Sequence, residues 1–258
     1  MRYAIAIEYN GSAFCGWQRQ KHSGSVQEVV EAALSKVADH PVTLVCAGRT
    51  DTGVHALAQI AHFDTLATRP DRAWTFGVNT HLPASVSVHW VKRMPDDFHA
   101  RFAATERSYR YSILNRNTRP GYLREYLAWV SGELDAESMH LAAQTLVGTH
   151  DFSAFRSADC QAPHANRTMH CVQVEQAGEL VHIHVRGNAF LHNMIRIMAG
   201  SLIRVGLDEK PSYWIKELLD GKDRTRAGMT APPQGLCFMQ AHYPEAWGVP
   251  DFQPRLGG

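Results

Sequence analysis

The sequence predicts an α+β protein built as two halves in tandem, with mainly antiparallel sheets and a central cleft. Three observations predict this. Alternating apolar and polar residues recur in short runs, as in half-buried strands. Between those runs lie stretches with helical spacing and recognisable caps. After about residue 104 the same mixture of strands and helices begins again. The expected division is 1–103 and 104–258, and clefts between such halves are where ligand sites tend to lie.

The elements follow in order. Arg2–Glu8 alternates in strand fashion and ends at the turn signal Asn10-Gly11. Ser25 to Val37 places Val26, Val29, Val30, Ala33, Leu34 and Val37 at helical spacing, and Ser25 with Glu28 reads as a capping box. Val42–Cys46 and Ala58–Asp64 read as strands either side of a glycine-bracketed loop. Pro70 can open a helix to about Asn79, and Val86–Lys92 alternates again. In the second half Ser108–Asn115 is a strand, and Asp135–Val147 a helix with Asp135 as its N-cap. Thr168–Gln176 and Leu180–Arg186 flank the hairpin signal Ala177-Gly178-Glu179. Phe190–Val205 reads as a strongly apolar helix stopped by Gly206, Pro211–Leu219 as a shorter helix, and Gly235–His242 as the last strand. The residues after Tyr243 read as an irregular tail.

Composition narrows the class. The 258 residues are 45% hydrophobic and 20% charged, ordinary for a soluble globular protein. The start lacks a signal-peptide pattern, and no apolar run approaches the roughly 20 residues that cross a bilayer. Five scattered cysteines, an odd number, fit a reducing cytoplasm better than a disulfide framework. Net charge is only +1, so the whole chain does not advertise a polyanion partner. Its distribution is more informative: Arg101 to Tyr126 holds six arginines and two glutamates, interleaved with Phe102 and tyrosines. Such a run can grip phosphates and stack bases, or it can be a solvated basic strand. No Gly-x-Gly-x-x-Gly or phosphate-loop pattern occurs. His182 and His184 fall on one strand face, and Cys160, His164, His170 and Cys171 lie near one another, but neither group has zinc spacing. No metal is expected.

The loop Gly48-Arg49-Thr50-Asp51-Thr52-Gly53-Val54-His55 carries the chemistry. Its glycines allow tight turning and close approach of a ligand. Arg49 beside Asp51 favours the ionised carboxylate, which suits nucleophilic or base work better than proton donation. Alternatively, Asp51 caps its own turn. Asp51-Thr52-Gly53 also spells the triplet of aspartic proteases, but those need two carboxylates sharing a proton, and there is no second Asp-Thr-Gly or Asp-Ser-Gly.

AGRTDTGVHALAQIAHF closely resembles the signature of the tRNA pseudouridine synthase A family. YNGSAFCGWQRQ, FHARFAATERSYRY, FLHNMIRIMAGSLIRVG and APPQGLCFM resemble further motifs of that family, in the same order and across nearly the whole chain. The resemblance implies two ferredoxin-like-derived halves, with Asp51 catalytic and no cofactor. It implies a homodimer that isomerises uridine at positions 38 to 40 of the anticodon stem-loop of tRNA. Tyr109 matches the family's active-site tyrosine, and its ring could stack on a flipped uracil. Arg196 lies in an otherwise apolar helical run with His192 and Asn193 on its side. Such a guanidinium is costly to bury without a carboxylate, and the resemblance supplies Asp51 as that partner. Leu236 matches an apolar residue beside the base, and Arg49 is expected to help extrude the nucleotide or hold its backbone. The sequence leaves open whether Asp51 attacks the base, attacks the sugar or removes a sugar proton. A non-catalytic RNA-binding module is the rival reading. It would need the arginine-tyrosine run but not Asp51.

Overall fold

The computed structural model describes residues 1–20 and 23–251. Its elements in chain order are β1 (Arg2–Tyr9), α1 (Val26–Ala38), β2 (Val45–Cys46), β3 (His55–Asp64), β4 (Val86–Met94), β5 (Glu106–Asn115), β6 (Ala128–Val130), α2 (Ala136–Gln144), β7 (Gly148–Asp151), β8 (Asn166–Ala177), β9 (Leu180–Gly187), α3 (Met194–Gly206), α4 (Trp214–Gly221) and β10 (Leu236–His242). The strands are mostly antiparallel and the helices few, an α+β fold. Among the described residues no helix is long and apolar enough to cross a membrane. Two compact units emerge: Met1–Arg107 with the chain from Cys237 onward, and Ser108–Leu236.

In the first unit the strand order is β4-β1-β3-β10, with β2 also on β3. β1 runs antiparallel to both neighbours, and β10 joins β3 in parallel through Cys237 and His55. Tyr3 to Ile7 form an unbroken apolar run and are all buried, so this central strand is covered on both faces and does not show the alternation expected of it. Aromatic packing closes one end, where Trp74 sits 5.4 Å from Phe63 and 5.5 Å from Tyr3, centroid to centroid. Trp74 belongs to a helical stretch whose middle, Ala73–Gly77, winds as a π-helix, within the span expected to be helical after Pro70.

Two expectations in this unit need correction. The strand foreseen over 42–46 shrinks to Val45–Cys46. The backbone before it is claimed by α1: Val42 N–H donates to Ser35 Oγ (2.9 Å) and Leu44 N–H to Glu31 Oε1 (2.8 Å). Gln27 and Arg19 complete the partners of the buried Glu31 carboxylate. A ladder cannot use groups that helix side chains already hold. The residues after Tyr243 are also not merely an irregular tail. Glu245–Trp247 forms a 3-10 turn, Trp247 packs 5.4 Å from Phe98, and the Tyr243 hydroxyl donates to Ala100 O at 2.7 Å. Residues 252–258 of that tail lie outside the described residues.

In the second unit the order is β5-β9-β8-β7, with β6 in parallel on β5. β8 and β9 form the expected hairpin, Ala177 pairing with Leu180 and Gly178 adopting φ 60°. α2 is capped by Asp135, whose carboxylate accepts from Ser138 N–H at 3.0 Å; it ends at Gln144 rather than Val147. α3 begins four residues later than the apolar run predicts. Asn193 is left-handed (φ 59°), and a right-handed helix cannot pass through that conformation. His192 therefore lies outside the helix and does not share a polar stripe with Arg196. Its N–H donates to Cys160 Sγ at 3.5 Å. α4 likewise starts at Trp214, three residues after Pro211.

Candidate active site

The Asp51 loop leaves β2, turns, and enters β3 entirely within the first unit. It is fixed at four points, three on the backbone and one on the Thr50 side chain. Gln59 Nε2 donates to Gly48 O at 2.6 Å, and Trp17 N–H donates to Thr50 O at 3.0 Å. The buried Thr50 hydroxyl meets the Tyr9 phenol at 2.8 Å. Val54 N–H closes the turn on Asp51 O at 3.1 Å, with Gly53 at φ 78°. A second loop lies against this one. A β-carbon on Gly16, itself at φ 90°, would stand 2.8 Å from Thr50 O and 3.2 Å from the Asp51 carbonyl carbon. Gly11 meets the Val54 carbonyl even more closely, and its N–H donates to His55 Nδ1 at 3.0 Å.

Thr50 is thus locked inward while its neighbours face out: Asp51 is half-buried, and Arg49 and Thr52 are exposed. A clamped backbone with outward polar side chains suits a group that must meet a ligand in one geometry. Asp51 and Arg49 are the two predicted site residues of this unit. Cys46, just before the loop, is no rival nucleophile, because burial pushes its thiol up to about 12.

Sequence reasoning missed the residues that hold this loop: Tyr9, Gly16, Trp17, Gln59 and Arg107. The first three sit in the YNGSAFCGWQRQ motif, which was the available signal. Arg107 was counted in the basic run, yet it is buried. It donates to Ala47 O (3.1 Å), Arg101 O (2.6 Å) and Ala104 O (3.1 Å), gripping the start of the Asp51 loop.

Tyr109, Arg196 and Leu236 all belong to the second unit. Tyr109 is buried, with Phe190 edge-on at 5.0 Å between centroids. Tyr111, two residues on, differs: it is fully buried and its hydroxyl donates to Pro232 O at 2.9 Å. Burial raises its phenol pKa, so it stays protonated and serves packing. Half-buried Arg196 donates through Nε to Ala231 O (2.7 Å) and through an Nη to Asn193 Oδ1 (2.8 Å). Ala231 N–H returns a bond to Arg196 O at 3.0 Å. Within its own unit the guanidinium is therefore held by neutral acceptors. Leu236, buried, follows a 3-10 turn whose Gly235 lies against Tyr111, where a β-carbon would be 2.8 Å from the ring. The segment 228–236 thus links Arg196, through Ala231, to Leu236 and to the packing residue Tyr111.

The remaining basic run splits by environment. Arg101 and Phe102 are exposed, with the guanidinium 5.8 Å from the ring centre and His99 stacked on it at 4.2 Å. Arg119, Tyr122, Arg124 and Tyr126 are also exposed, whereas Arg116 pairs with Glu179 at 3.3 Å. His182 meets Ser112 Oγ at 2.9 Å and His184 meets Glu175 at 2.8 Å. Among the described residues no three metal-ligating side chains converge.

A fixed, glycine-lined acidic loop in an α+β fold, with exposed arginine and aromatic side chains in each unit, is the equipment of the class of enzymes that act on RNA. A profile of the tRNA pseudouridine synthase family matches residues 5–103 and 142–244, and the chain belongs to that family. It is an isomerase that converts uridine to pseudouridine in tRNA. Relatives called tRNA pseudouridine synthase A resemble it over nearly their whole length. That of Hydrogenovibrio crunogenus is 55% identical, covering 96% of this chain and 94% of the relative. That of Stenotrophomonas maltophilia strain K279a is 54% identical over 97% and 98%. That of Pseudoalteromonas atlantica is 52% identical over 97% and 95%. A chain from the crystal structure of a Cbf5-Nop10-Gar1 complex aligns with a TM-score of 0.37 and 11% identity, over 92% of this chain and 48% of its own, a likeness too slight to bear on fold or function.

Proposed function

We propose that the chain isomerises uridines at positions 38 to 40 of the tRNA anticodon stem-loop, with the Asp51 carboxylate acting on a flipped-out nucleotide. The reaction breaks the uracil N1–C1′ bond and joins C5 to C1′. The C5 proton leaves and N1 gains one, so no outside electron or group is required and no cofactor is proposed. Asp51 supplies the nucleophile or base. Tyr109 stacks on the extruded uracil, Leu236 packs beside it, and Arg196 pairs with Asp51. Arg49 holds or displaces the nucleotide backbone.

The halves 1–103, with the Asp loop, and 104–258, completing the cleft, are ferredoxin-like in derivation, the second lending its last strand, from Cys237, to the compact unit of the first. The enzyme works in the cytoplasm as a homodimer. The observation that carries this reading is the clamped loop: Trp17 and Gln59 hold the backbone before an accessible Asp51, Tyr9 holds the Thr50 side chain, and Val54 N–H closes the turn behind on Asp51 O. An RNA-binding module without chemistry would have no use for that rigidity at an acidic residue.

Incubation with unmodified tRNA, followed by mapping of pseudouridine along the strand, tests reaction and position together. Asp51→Asn should abolish product while tRNA affinity stays within about tenfold, ~1.4 kcal/mol. Full activity in that variant would refute the catalytic assignment.

A further inference from the structure

We propose that Met229 is an RNA-contact residue, an apolar wedge that packs into the base stack beside the extruded uridine. The proposal rests on the reading of Arg196 as a substrate-binding residue. Met229 is 86% exposed, although methionine is among the residues most often found inside proteins. A single exposed methionine on a loose loop would need no explanation. This one stands on a backbone fixed from both sides.

Gly228 N–H donates to the buried Ser201 Oγ at 2.9 Å, and a β-carbon on Gly228 would lie 2.6 Å from Ser201 N. Arg224 donates to Gly228 O and to Thr230 Oγ1, each at 3.2 Å. On the other side Ala231 exchanges two bonds with Arg196, through its N–H (3.0 Å) and its carbonyl (2.7 Å). Between them a β-carbon on Gly200 would strike the Met229 carbonyl, so only glycine admits the segment here. Arg196 and Gly200 are four apart on α3 and share a face. The 228–231 segment therefore runs along the Arg196 face, and Met229 is presented from it at a set position.

The fold fixes this backbone but gains almost nothing from the side chain. A ligand can gain. Taking a base out of a stack leaves a gap, and inserted apolar side chains, methionine among them, lower that cost. The thioether is unbranched and polarizable, which suits the π face of a base whatever its identity.

The test compares Met229→Ser and Met229→Leu in the full enzyme. Melting temperature, tRNA affinity in the Asp51→Asn background at fixed ionic strength, and kcat and KM on an unmodified tRNA transcript are measured. Met229→Ser should keep the wild-type melting temperature yet lose about tenfold in tRNA affinity and in kcat/KM, while Met229→Leu stays within about threefold. Met229→Ser within about twofold of wild type in both affinity and kcat/KM would overturn the proposal. So would a fall in melting temperature that accounts for the lost activity. If the wild-type enzyme formed no pseudouridine at the anticodon stem-loop, the proposed function would fall, and the affinity comparison would still decide the role of Met229.

Discussion

Arg101 and Arg107 stand six residues apart in one arginine-rich run and live in opposite environments. Arg101 is exposed beside Phe102, whereas Arg107 is buried and donates to three backbone carbonyls. Replacing Arg107 by Ala strands those acceptors and should cost about 2–4 kcal/mol in urea unfolding, with activity falling as the Asp51 loop loosens. Arg101→Ala should change stability by less than about 0.5 kcal/mol but weaken tRNA binding and lower its salt slope by roughly one. Equal destabilisation by the two variants would contradict this division. Sequence could not separate them, because spacing records charge and not which carbonyls surround it. Tyr109 and Tyr111 pose the same problem: one strand face carries both, and only the Pro232 carbonyl identifies Tyr111 as a packing residue.

Local pattern gave most elements to within a few residues, and its failures have identifiable causes. The 42–46 strand lost its first residues to Ser35 and Glu31 of α1, whose side-chain bonds to that backbone are invisible to alternation. α3 lost its first turn to the left-handed Asn193. The loop pair around Asp51 carries its own prediction. Gly16→Ala combines φ 90° with a 2.8 Å approach to Thr50 O, so it should cost about 1–3 kcal/mol and lower kcat about tenfold or more. Gly24→Ala, where a β-carbon would meet nothing within 4 Å, is the control and should leave both unchanged. Matching effects in the two variants would show that the close approach at Gly16 does not matter to catalysis.

For the molecule as a whole, acid stability offers a check on how its first unit is built. Buried His62 accepts the Ala100 N–H on Nδ1 at 3.1 Å, which requires a neutral ring. Burial, helped by Arg2 and His99 and opposed by Asp64, holds its pKa down to about 4. The unfolded chain takes up this proton near pH 6.5, so stability present above that pH is lost as pH falls towards 4, by roughly 3 kcal/mol. His62→Asn should be the less stable protein at pH 7, with the gap closing or reversing by pH 4.5 in urea melts; a constant gap would rule out the buried neutral histidine. What the sequence alone determined was the α+β class, most elements, the family and the candidate residues Asp51, Arg49, Tyr109, Arg196 and Leu236. Those rest on periodicity and contiguous motifs, which are properties of the chain read in order. Only the tertiary structure decided which arginine is internal, which tyrosine packs, and what clamps the Asp51 loop. Those depend on hydrogen-bond partners up to 121 residues apart, as between Tyr111 and Pro232, and no local pattern encodes that neighbour.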